Sequence, residues 1–232
     1  MIKQLLVLLA LIGVAWLLYP FLSEFSVPSQ LNPLAADYVA GSVRDLNMPN
    51  VVTAVVVTYR GLDTLGEVTV LFLATAGVGF LLRKRENGSK KRRPSSEILQ
   101  TGASVLTPLI VMFGIYIFIH GHLTPGGGFQ GGVVIASAML LLAMAFTNMH
   151  FAHSLIHWLE SLSGMAYVAL GLFGLLLIGM DSFLDPRYLQ LGRYLHLFSA
   201  GAVPIIYSCI GLKVGSELSS VIDSLRGEGD EV

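Results

Sequence analysis

The residues of this chain best suited to moving an ion lie in Tyr59-Arg60-Gly61-Leu62-Asp63-Thr64-Leu65-Gly66-Glu67. On a helix Arg60 and Asp63 are three apart, and Asp63 and Glu67 four apart, so all three share one face. Glu67 opens a long apolar run, where a carboxylate costs at least about 2.5 kcal/mol at the helix centre on insertion scales. Such a group faces a water-filled cavity or a partner by default, and its protonation answers to desolvation and to cations such as Arg60. Glu67 is therefore a candidate proton or Na⁺ relay, the alternative being plain pairing with a neighbouring protein of the assembly. Arg60 and Asp63 read first as a helix-end ion pair, with Asp63 a secondary ion-path candidate.

A second group is His120-Gly121-His122-Leu123-Thr124-Pro125-Gly126-Gly127-Gly128-Phe129-Gln130-Gly131-Gly132. Residues 126–131 match G-x-G-x-x-G formally, but that phosphate fingerprint needs a preceding strand in a βαβ unit, and here it joins two apolar stretches. The glycines suit a tight turn and close backbone approach between helices. Pro125 to Gly132 is thus expected to be a subunit-packing loop, with Phe129 and Gln130 as anchors against a partner. His120 and His122 could transfer protons near neutral pH, or simply be hydrogen-bonded interfacial side chains. A third cluster, His150, His153 and His157, has no acidic or thiolate ligand spaced to complete a metal site, apart from Glu160 nearby; a solvated amphipathic turn is expected there and no metal. Haem ligation by His120 and His196 is disfavoured, because no further paired histidines accompany them. There is no Ser/His/Asp signature and no Cys-x-x-Cys, so catalysis by the chain alone is not expected.

The elements that must position these groups are membrane helices. The chain is 54% hydrophobic and 12% charged, against about 25% charged in soluble domains. Spanning a bilayer takes roughly 20 apolar residues as helix; residues 4–22, 64–82, 103–120, 132–148, 164–180 and 195–213 qualify. Their apolar runs are continuous and do not alternate with period two, which excludes a β-barrel. The expected fold class is all-α, a polytopic membrane protein with about six transmembrane helices. The first run lacks a small-x-small cleavage pattern and reads as a retained helix. Cys209 lies inside the last span and has no partner for a disulfide.

Seven of the 14 basic residues stand in Arg83 to Arg93. Such loops stay cytoplasmic, which puts the N and C termini in the cytoplasm and the Gly-rich loop outside; anionic lipid headgroups are a secondary role for it. Residues 23–50, with three prolines, should be a loop with at most short helical turns. Residues 51–82 are too long for one span, so a short helix should break at Gly61. The expected organisation is a two-helix segment over 1–93, a four-helix domain over 94–215 and an acidic tail over 216–232. Only Glu67 falls well inside an apolar run, with Lys213 at the end of the last. No nucleic-acid partner is expected.

These motifs resemble a pair of families. Residues 99–215, with Gly121-His122-Leu123-Thr124-Pro125-Gly126-Gly127-Gly128-Phe129-Gln130-Gly131-Gly132, are similar to the MrpB (MnhB) component of the Mrp multisubunit cation/proton antiporters, a family that includes a component of membrane-bound hydrogenases. Residues 50–82, with Arg60-Gly61-Leu62-Asp63-Thr64-Leu65-Gly66-Glu67, resemble the carboxy-terminal part of the large MrpA component, which stands alone as the MbhE-like protein in those hydrogenases. This sequence joins the two parts in one chain. The resemblance implies an accessory subunit of an assembly that exchanges or pumps Na⁺ and H⁺ in a prokaryotic plasma membrane. It implies no cofactor in this chain, and partners among the other Mrp-type membrane subunits, large antiporter subunits and hydrogenase-like or sulfane-reductase-like redox subunits. A purely structural scaffold subunit is the alternative.

Overall fold

A computed structural model describes residues 2–24, 30–82, 95–146, 152–177 and 183–226. Among these, every regular element is helical. In chain order they are α1 (Ile2–Ser23), α2 (Pro33–Arg44), α3 (Val51–Thr53) running on as a π-helix over Ala54–Tyr59, α4 (Gly61–Leu82), α5 (Glu97–Ile119), α6 (Gly128–Ala145), α7 (His153–Leu172) with a π-helical turn over Phe173–Leu177, a 3₁₀ turn at Pro186–Tyr188, and α8 (Val203–Arg226). Six of them are long and apolar enough to cross a membrane, so the chain is a multi-pass membrane protein. The basic loop Arg83–Arg93, His150 and residues 227–232 lie outside the described residues.

The chain divides into two compact units, residues 1–37 and 38–232. The first holds α1, apolar all round as a membrane span must be, and the start of α2. That helix exceeds the short turns expected of 23–50. Pro33 sits at its first position and the Asn32 side chain accepts a hydrogen bond from the Ala35 amide at 2.7 Å, which is a complete N-terminal start signal.

In the second unit α8 is the hub, packed against α4, α5, α6 and α7. Its contact with α6 is made by absent side chains. A Cβ on Gly128 would fall 2.6 Å from Ile210 Cβ, and one on Gly132 2.7 Å from Val214 Cβ. On the other side, a Cβ on Gly131 would lie 2.6 Å from the Gly114 carbonyl of α5. Without a hydrophobic drive between helices in lipid, such close backbone approach supplies the packing.

The break between α3 and α4 comes at Arg60, next to the Gly61 that the sequence predicts. The Asn50 side chain caps α3 by accepting from the Thr53 amide. Gly61 passes so close to the Phe183 carbonyl that a Cβ would sit 2.5 Å from it. The last two spans differ from the hydropathy reading. Residues 164–180 give way to a helix from His153, and 195–213 to one from Val203 to Arg226. The acidic tail expected from 216 is helix as far as Arg226, with Glu217 and Asp223 buried. Those charges lowered the hydropathy of the window, yet in the fold they are paired and so tolerated inside a helix.

Candidate functional site

Glu67 stands in the second turn of α4, on its exposed face. It makes no hydrogen bond or ion pair with any described residue, although its charge bears on Tyr167 of α7 and Tyr207 of α8. Arg60 and Asp63 form the anticipated ion pair where α4 begins, both well exposed. They line a cavity of about 420 Å³ with Thr58, Leu175 and Phe183. The three charged residues thus lie at one end of α4, and the counter-group of Glu67 must come from outside this chain's described residues.

The sequence points to Glu67 as the lone buried carboxylate. The structure buries others. Lys213 of α8 bonds Glu217 one turn along the same helix, and its ammonium lies 3.7 Å from Glu160 of α7. Lys213 also stands 4.8 Å over the ring of Phe72 on α4. Its stem crosses α7 at Gly164, where a Cβ would come within 3.0 Å of the lysine methylenes. His157 lies 3.8 Å from the other oxygen of Glu160, and His153 pairs with the buried Asp223 at 3.0 Å. The signal for this cluster is present in the sequence as Lys213 and Glu217 four apart, with His157 and Glu160 three apart. The apolar windows end before it.

His120 is half-buried, stacked on Tyr116 and within 3.2 Å of the Tyr116 carbonyl. His122 is fully buried and neither ring nitrogen makes a full hydrogen bond, although the His196 and Leu197 backbone lies beside the ring. Burial, with a smaller push from His120, holds its imidazole below the ordinary value of 6.5. The folded chain therefore prefers neutral His122, and just below pH 6.5 the unfolded chain binds more protons. Stability should be level above that pH and fall on acidification through it. Thermal unfolding of the full chain in detergent at pH 7.5 and at about pH 5.5 reads this slope, which His122→Gln should flatten.

The glycines of the expected subunit-packing loop are engaged within this chain. Gly121, Gly127, Gly128, Gly131 and Gly132 are buried inside the chain, against Tyr207, Ile210 and Val214 of α8 and against α5. Gly126 takes a positive φ of 157° against Ile117. Phe129 packs on the chain's own core, and only Pro125 and Gln130 remain exposed. The physical reason is that the side chains of α8 fill the space that α6 leaves open at its glycines. The same loop is bound to the α3 segment. Asn50 donates to the carbonyls of Gly121 and Thr124 at 2.7 and 3.0 Å, Thr53 donates to Gly121 at 2.6 Å, and Tyr207 donates to Thr53 at 3.1 Å.

A helical multi-pass membrane protein with a glycine-lined helix contact and a buried ionic cluster is the class this fold defines. Residues 98–220 match the family described as "Domain related to MnhB subunit of Na+/H+ antiporter", and the chain belongs to that family. Residues 2–101 match the MbhE family, named for a component of MBH. An uncharacterised protein of Methanocaldococcus jannaschii is 32% identical over 200 residues, 75% of each chain. The B-type Na(+)/H(+) antiporter subunit of Bacillus subtilis is 38% identical over 56 residues, 24% of this chain and 39% of that protein. Among solved structures, a chain of the membrane-bound sulfane sulfur reductase, an archaeal respiratory membrane complex, is 42% identical with a TM-score of 0.82, covering 97% of this chain and 98% of that one. A chain of the Mrp complex from Dietzia sp. DQ12-45-1b shares the fold at 24% identity and a TM-score of 0.77, covering 99% of this chain but 26% of that one.

Proposed function

We propose that the chain is an accessory membrane subunit of a multisubunit Na⁺/H⁺ antiporter module of Mrp type. Its part is to pack neighbouring subunits and to contribute Glu67 to an ion path. The observation that carries this reading is Glu67, exposed and without a partner among the described residues, on a helix long and apolar enough to cross the membrane. A carboxylate left bare in lipid would be costly, so a partner protein or hydrated passage must meet it. Asp63, His120 and His122 are secondary: Asp63 is engaged by Arg60 and His122 is sealed from water. Both termini face the cytoplasm of a prokaryotic plasma membrane, because the basic segment between α4 and α5 is retained on that side.

The host is redox-driven rather than a plain antiporter. The match to a chain of the sulfane sulfur reductase runs nearly end to end on both sides, whereas the Mrp match is a quarter of a longer chain. That supports a respiratory complex, with partners among large antiporter-type subunits and redox subunits, and Na⁺ and H⁺ as the transported ions.

Glu67→Gln keeps the shape of the side chain and removes its charge. In the assembled complex in sealed vesicles, Na⁺-dependent translocation should drop about tenfold or more, equivalent to at least about 1.4 kcal/mol of barrier. Co-purification of all subunits is the assembly control. Unchanged translocation by an intact Glu67→Gln complex would remove Glu67 from the path.

A further inference from the structure

The geometry of α7 and α8 points to a second site, built from residues other than Glu67. We propose that Glu160, Lys213 and Glu217 hold one transferable proton within the membrane. The triad counts two carboxylates against one ammonium, so with all three charged it carries one negative charge in excess. Glu217 is 1% exposed, and its Oε2 is buried with no hydrogen bond among the described residues. The Lys213 side chain is 10% exposed. Lys213 is the eleventh residue of a 24-residue helix, so at 1.5 Å per residue it lies near the middle of α8. Uncompensated charge in a buried position is costly, and a proton on one carboxylate removes it.

Among the described residues, no lysine or arginine other than Lys213 pairs with Glu160 or Glu217. On α4 the nearest titratable group is Glu67, another carboxylate. On α7 there are Tyr167, His157 beside Glu160, and His153, which is committed to Asp223. On α8 there are Tyr207, Cys209, Asp223 and Arg226, the last donating to the Phe146 carbonyl. Helix α6 carries no charged residue, and α5 only Glu97 in its first turn.

The excess proton can move without a change of net charge. Lys213 gives a proton from Nζ to Glu217 Oε1, breaking one N–H bond and forming one O–H bond, then takes the proton of Glu160. One proton has passed from Glu160 to Glu217, and the ammonium is restored. An open cleft of about 350 Å³ beside the triad is lined by Glu160, Lys213, Ser161 and Thr69 together with apolar Val68 and Met165, and has room for several waters at about 30 Å³ each. His157, largely exposed, is the group placed to exchange protons with Glu160 from the surface.

The test is infrared difference spectroscopy of the intact complex as a function of pH, in H₂O and D₂O. Wild type should show a deuterium-sensitive protonated-carboxyl band. Glu217→Gln and Glu160→Gln should each abolish it, since either replacement leaves one carboxylate matched to one ammonium. If Glu217→Gln fails to assemble, Glu160→Gln carries the same reading. A band absent from wild type, surviving both replacements, or appearing only when Na⁺ is withdrawn overturns the proposal, the last because a bound cation then does the neutralising. The outcome is independent of Glu67, as the band is read whether or not the Glu67→Gln complex translocates Na⁺.

Discussion

Gly132→Leu should prevent α6 from docking on α8, and the full chain should then fail to run as a single species on size-exclusion chromatography in detergent. A Cβ at this position already meets Val214 Cβ at 2.7 Å and the Gly211 carbonyl at 2.8 Å. Backbone cannot rotate away as a flexible side chain can. Overpacking a core side chain costs about 1–3 kcal/mol, occasionally more; with helix backbones on both sides of the contact the cost should reach the top of that range or exceed it. The loss would extend beyond one contact. Helix α8 also holds Tyr207 against Thr53 and Gly121, so a displaced α6 would pull apart the polar cap that joins α3 to the glycine loop. Gly79→Leu is the matched control: it adds the same side chain to a membrane helix, where a Cβ meets nothing within 4 Å. Equal behaviour of the two variants would mean that lipid-facing and helix-facing glycines do not differ, and the α6–α8 contact would lose its importance.

That contrast also marks what the sequence made legible. Continuous apolar runs, broken by a single charge at Glu67 in α4, announced α1, α4, α5 and α6, because little in those segments competes with the membrane for their side chains. The break beside Gly61 was readable from the length of the run and from the glycine itself. The role of the glycines was half readable. Close helix contact follows from their smallness, but whether that contact is made with this chain or another depends on which side of α6 faces α8, and no composition fixes that. The ionic cluster was hidden for a physical reason. A hydropathy window penalises Lys213, Glu217 and Asp223 one at a time, as though each were met by lipid alone. In the fold they meet one another and Glu160 and His153, so the last span continues from Lys213, where the apolar pattern stops, to Arg226. Glu67 shows the converse. Its isolation in the sequence suggested burial, yet among the described residues it is exposed.

Lys213→Met should be the most damaging single replacement outside the helix contact. Removing one partner from a buried ion pair costs about 3–5 kcal/mol, because the remaining charge is left without compensation. Methionine preserves the length of the stem where it crosses Gly164, so lost packing contributes little. The thermal midpoint of the full chain in detergent should therefore fall steeply. Lys213→Met combined with Glu217→Gln should recover most of that loss, since the deeper carboxylate is gone and Glu160 keeps His157 within 3.8 Å. A double-mutant cycle over the two positions isolates their coupling. Strong coupling identifies a charge pair held together by mutual neutralisation. Additive losses would mean that Lys213 acts through its contacts with Phe72 and α7 alone, and that the two carboxylates do not depend on it.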